Sequence, residues 1–137
     1  MHNIIINVLS HPSIKFIIGL IFIITYGIII GYERQHSSKV IGIRTCMLIL
    51  LGSYLFTYIS VNIGTDHSRV LAQIVSGVSF IGAGIIFKNG LDDIRHLTTA
   101  VLVWVLAALG SLVALDCLIE SIIITGVIYF ILKCKIK

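Results

Sequence analysis

Residues 14–32 read IKFIIGLIFIITYGIIIGY, a run whose one charge, Lys15, lies near its start. A helix needs about 20 predominantly apolar residues to cross the hydrocarbon core of a bilayer. Backbone groups in lipid must bond within their own segment, so this run is read as a transmembrane helix. Three further runs have the same character: Ile43–Ile63, Val70–Phe87 and Leu97–Leu115. Cys117–Leu132 is slightly shorter but uninterrupted, and Lys133 is placed to snorkel at its end. Pro12 precedes all of these runs. The expected fold is an all-α integral membrane bundle of five transmembrane helices.

Composition agrees. Of 137 residues, 58% are apolar and 12% charged, and the mean hydropathy is +1.09. A soluble domain carries about a quarter charged residues, and a chain this short cannot hide so much apolar surface from water. The net charge of +4 comes from Lys and Arg residues scattered singly or in pairs between apolar runs, with no basic stripe. That pattern sets membrane orientation and excludes nucleic acid as a partner. Cys46, Cys117 and Cys134 are odd in number and widely spaced, which fits neither a disulfide framework nor a zinc site. They read as small hydrophobes.

Residues 1–13 lack the cationic start and small-residue cleavage site of a secretory signal, and the apolar run Ile4–Leu9 is too short to span. They are expected to form an interfacial segment ahead of a retained first span. Residues 133–137 read as a basic cytoplasmic tail, leaving the sequence no room for a soluble regulatory domain. With the N-terminus outside, eight cations fall inside: Arg34, Lys39, Arg44, Lys88, Arg95, Lys133, Lys135 and Lys137. Only Lys15 and Arg69 fall outside. The asymmetry places the N-terminus out and the C-terminus in.

Helices associate in lipid by close packing, so small residues on one face mark interfaces. The first span carries Gly27 and Gly31 as a GxxxG pair. The third carries Ala72, Ser76, Ser79 and Ala83 at helical spacing, with Gln73, Gly77, Gly82 and Gly84 beside them. The fourth carries Ala100, Ala107, Ser111 and Ala114, while the fifth is Ile-rich with Gly126 alone and reads as lipid-facing. Each stripe has a plain reading, packing within the chain, and a functional one, a pathway or a partner-docking seam. Small and polar residues run along the whole third span, which is therefore expected to be the central helix. Gly82-Ala83-Gly84 lacks the third glycine and preceding strand of a dinucleotide loop, and no other cofactor is implied.

Helices favour anions at their N-termini and cations at their C-termini. Three charges oppose this: Glu33 closes the first span, Arg44 opens the second and Arg69 opens the third. Pairing Glu33 with Arg44 across their shared connection would relieve both mismatches, and that ion pair is expected. Asp66 is placed to cap the third helix. Arg69 and Gln73 follow on one face, as a snorkelling arginine over a capped helix or as a polar entrance above the seam. Asp92 and Asp93 form a weak candidate Mg²⁺ site in a loop of mixed charge, and Asp116 and Glu120 a second acidic pair. The five histidines fall near predicted membrane edges, with no two set as ligands on one helix face. The hydroxyls of Ser76, Ser79, Thr98 and Thr99 have no histidine or lysine within plausible reach in the spans, so the chain is not expected to be an enzyme.

Several blocks then resemble the N-terminal membrane domain of the MgtC/SapB family. They are Gly31-Tyr32-Glu33-Arg34-Gln35, Gly42-Ile43-Arg44-Thr45, Leu51-Gly52-Ser53, Asp66-His67-Ser68-Arg69 and Ala72-Gln73-Ile74-Val75-Ser76-Gly77. Phe80-Ile81-Gly82-Ala83-Gly84 and Leu97-Thr98-Thr99-Ala100 complete the order. His67 stands where the family usually has proline and Ser79 where it usually has glycine, and the resemblance fades after Gly110. The resemblance implies a bacterial inner-membrane protein with five spans, associated with magnesium limitation and in some members with virulence. It also implies a regulatory role through other membrane machinery, including the F-type ATP synthase. The alternatives are a subunit of an oligomeric ion transporter or channel, with homo-oligomers supplying the missing helices, and a structural helper of a larger complex.

Overall fold

A computed structural model describes residues 11–63, 66–87 and 96–134. The run Ile4–Leu9, the Asp92–Asp93 pair and residues 135–137 lie outside the described residues. Five helices follow one another, with no strand among the described residues: α1 (Pro12–His36), α2 (Ile43–Ile63), α3 (His67–Ile86), α4 (Leu97–Ala114) and α5 (Leu118–Lys133). The first four are long and apolar enough to cross a membrane. α5, with 16 residues, is shorter than that length.

α1 outruns its predicted span at both ends. Pro12 occupies its first turn, where a missing N–H costs nothing. At the other end Ser38 adopts the left-handed conformation, φ 52°. Lys39 N–H then reaches the Arg34 carbonyl at 3.0 Å and Ser38 N–H the Gln35 carbonyl at 3.2 Å. This is a Schellman closure. α4 ends in the same way: Asp116 takes φ 60°, Cys117 N–H bonds the Leu112 carbonyl and Asp116 N–H the Val113 carbonyl. Both helices thus stop sharply enough to reverse the chain within a few residues.

The centre of the bundle is α4, which touches all four other helices. Leu102, Val103, Leu106, Leu109 and Val113 are buried around it. They meet Cys46, Leu50 and Tyr54 of α2, Ile23, Tyr26 and Ile30 of α1, and Ile128 of α5 in one apolar cluster. Its closest neighbour is α2. A Cβ added at Gly110 would collide with the backbone carbonyl oxygen of Leu50, so the two backbones approach closely only because this residue is glycine. One turn from that contact, Thr57 Oγ1 donates to Ser111 Oγ at 2.9 Å, both side chains buried. α1 docks on α2 likewise, with Gly31 against the Ile43 backbone and Gly27 against Met47. α5 joins through a buried hydrogen bond of 2.8 Å between Tyr26 Oη and Ser121 Oγ. Most of its isoleucines face outward, as its composition predicts.

α3 is not the central helix. Of its residues only Gly82 is buried, and a Cβ added there would come within 3.5 Å of the Ala100 carbonyl oxygen of α4. Ser76, Gly77 and Gly84 are exposed, and nothing lies within 4 Å of a Cβ added at Gly77 or Gly84. Small residues permit close approach but do not compel it. α4 wins the centre because apolar or small residues cover its whole circumference, the pattern of a helix buried all round.

Substituting Gly110 by Ala should lower the resistance of the purified protein to unfolding in denaturing detergent by about 1–3 kcal/mol, because the α2 backbone must move. Gly52→Ala has open space around it and should change stability by less than about 1 kcal/mol. Equal losses at both positions would contradict this packing.

Candidate functional site

The polar residues singled out in the sequence divide between two places. Glu33 and Arg34 close α1, near Thr99 in the first turn of α4. Asp66, Arg69 and Gln73 begin α3 at the opposite end of the bundle, where Lys15 Nζ pairs with Asp116 Oδ2 at 2.6 Å. Asp116 thus binds a cation and does not join Glu120 in an acidic pair.

The expected Glu33–Arg44 ion pair is not formed. Glu33 accepts a hydrogen bond of 2.9 Å from Ser37 Oγ, one turn on, and Arg44 is exposed. Among the described residues, Lys15 and Asp116 form the only ion pair. Helix geometry supplies the reason. Ile23, Tyr26, Gly27, Ile30 and Gly31 form the buried stripe of α1, and a further step of three or four residues lands on Arg34. Arg34 is therefore drawn inward, 3% exposed, and its Nη2 donates to Thr99 Oγ1. Glu33, one position earlier, sits beside the stripe with Oε2 enclosed and without a partner, and Arg34 Nε is likewise unpartnered. Among the described residues no carboxylate forms an ion pair with this guanidinium, and burying a charge without such a pair is costly, by several kcal/mol. Such a residue in a membrane protein is a candidate functional position.

In the sequence Arg34 stands with Glu33, Arg44, Asp66, Arg69 and Gln73 among the functional candidates, and its charge suits a helix C-terminus, but its burial is not expected. The signal that identifies it is the period of the buried stripe, continued past the end of the apolar run. Thr99, also fully buried, carried no individual signal.

At the other end, Asp66 caps α3 as expected. Its Oδ1 accepts from Arg69 N–H at 3.2 Å and from Ser68 Oγ at 2.8 Å. Arg69 and Gln73 are exposed. Gln73 lines a groove of about 590 Å³ between α2 and α3, floored by Ile49, Gly52 and Ser53 and walled by Phe56, Gly77 and Ile81. Gly77 thus opens onto the groove, whereas Gly82 packs on α4 and Ala83 is half-buried at its margin. On α3, Ser79 Oγ bonds its own helix, donating to the Val75 carbonyl at 2.8 Å. Among the described residues no cluster of three or more His, Cys, Asp or Glu could hold a metal ion. Among the described residues the two places offer hydrogen bonding, charge and an open apolar surface.

Comparison with known proteins matches the MgtC family over residues 20–137. Protein SapB of Bacillus subtilis is 38% identical over 109 residues, 72% of this chain and 46% of that protein. Protein MgtC of Brucella abortus is 47% identical over 88 residues, 63% of this chain and 37% of its own length. Protein MgtC of Salmonella typhimurium is 38% identical over 101 residues, 73% of this chain and 43% of its own. The chain thus spans less than half the length of these relatives, and no solved structure matches it. The match takes in all of α2 to α5 and most of α1, and this membrane protein belongs to the MgtC family.

Proposed function

We propose that the chain is a small regulatory protein of the bacterial inner membrane, serving adaptation to magnesium limitation and, in pathogens, virulence. It acts by docking against a membrane partner complex, of which the F-type ATP synthase is one candidate. In this reading α5 is a fifth span, short enough to need local thinning or snorkelling by Lys133. The chain enters from outside and ends in the cytoplasm, as the distribution of its cations requires.

The observation that carries the docking role is the open face of α3. A membrane helix that leaves Ser76, Gly77 and Gly84 uncovered has left unmade the contacts small residues allow. The adjoining groove, with Gln73 at its side, is wide enough to take the side chains of another transmembrane helix. The names of the relatives support the magnesium link, since two of them are MgtC proteins. A second reading, an oligomeric ion transporter or channel, draws on Gln73 in that same groove. It is the weaker one, because buried polar groups within the helices, Thr57 with Ser111 and Tyr26 with Ser121, are already hydrogen-bonded to each other.

Gly77→Leu and Gly84→Leu fill open space and should leave folding and membrane insertion intact. They should abolish complementation of a deletion strain at low Mg²⁺ and release any partner retained in mild detergent. Unchanged growth together with an unchanged set of co-purifying proteins would refute the docking role. Ion flux in liposomes that is lost on Gln73→Ala would favour the transporter.

A further inference from the structure

Glu33 and Arg34, which carry the unpartnered atoms, also line a second concavity. A cleft of about 590 Å³ lies between the C-terminal turns of α1 and α5, lined by Glu33, Arg34, His36, Lys39 and Lys133 and by the rings of Tyr32 and Tyr129. Lys133 Nζ sits 5.7 Å from the centre of the Tyr129 ring, and Tyr32 stacks on His36 at 6.3 Å with the planes 5° apart. Cations at helix C-termini complement the dipoles, and that accounts for Lys133 at the end of α5. It does not account for Arg34, nine-tenths and more buried with an unused Nε donor.

We propose that this cleft binds a phosphate group, the headgroup phosphodiester of an anionic phospholipid whose remaining atoms carry hydroxyl donors. Three observations converge on that chemistry. Arg34 offers a planar set of donors, part of it spent on Thr99, and guanidinium matches phosphate oxygens in shape and charge. Lys39 and Lys133 add two mobile ammonium groups at the rim, so three cations face one carboxylate and the favoured guest is a net anion. Glu33 Oε2, enclosed and lacking a donor, needs an O–H from the same guest. A glycerol headgroup supplies the acceptor and the donor together. The cleft lies beside Tyr32 and Tyr129, at the level where aromatic rings and basic pockets between helices meet headgroups. The proposal stands apart from the docking role, since its cleft is formed by α1 and α5 and uses none of α3.

The test uses the full chain purified in mild detergent, with phosphatidylglycerol and phosphatidylcholine of identical acyl chains as probes in native mass spectrometry. Phosphatidylglycerol should be retained about tenfold more strongly, a difference of about 1.4 kcal/mol. The double variant Lys39→Gln, Lys133→Gln changes only exposed side chains and should erase that preference without altering the fold. Arg34→Lys should weaken it in part, since one charge remains and the planar donor set is lost. Millimolar inorganic phosphate separates the two sources of the same chemistry. Retention despite phosphate supports the lipid as ligand, and displacement by phosphate supports the site with free phosphate as its guest. Equal retention of the two lipids, or a preference untouched by the double variant, overturns the proposal.

Discussion

The close approach of α2 to α4 at Gly110 is the constraint on which the remaining packing depends. Lipid gives helices no hydrophobic reason to associate, so they must gain from contact and from hydrogen bonds. Gly110 lets the Leu50 carbonyl lie against α4, and the buried Thr57–Ser111 bond pins the register of that contact. With α2 and α4 joined, α1 closes on α2 through Gly31. α5 then closes on α1 through Tyr26 and Ser121. Each further helix meets a surface that its predecessors have already fixed.

Two consequences follow for function. With α4 occupying the centre, α3 reaches the bundle mainly through α4 and keeps its small-residue face free. Secondly, the buried stripe of α1 carries Arg34 inward to the start of α4, where Thr99 answers only one of its donors. In the reading proposed above, the first feature would receive another helix and the second an anion. They lie on different helices, and they mark the places where contacts among the described residues stop short.

Much of this was legible in the residues. Apolar runs bounded by charge gave every helix, with α2 at the bounds of its apolar run, because such runs in lipid have no other way to satisfy their backbones. The Asp66 cap was legible for a similarly local reason: an acidic side chain before the first turn meets free N–H groups whatever surrounds it. The centre of the bundle was not. Small residues in α3 and α4 look alike along the sequence, and which set is covered depends on how helices distant in the chain cross. The Glu33–Arg44 pair failed for the same kind of reason. Local charge matching was outweighed by helix phase, which turned Arg34 inward and left Glu33 with Ser37. Arg34 was legible as a candidate, and its burial follows only when the stripe is continued three residues past Gly31. Nothing local would have found Thr99.

The most direct test of this arrangement is cysteine crosslinking in native membranes, in a background with Cys46, Cys117 and Cys134 replaced. Thr57→Cys with Ser111→Cys occupies a site where the side-chain oxygens already lie 2.9 Å apart, so the two thiols would face each other across the contact of α2 with α4. The account predicts rapid crosslinking within one chain for this pair, and none for Ser76→Cys with Ser111→Cys. Failure of the first pair, with crosslinking of the second, would put α3 at the centre and contradict the structure described above.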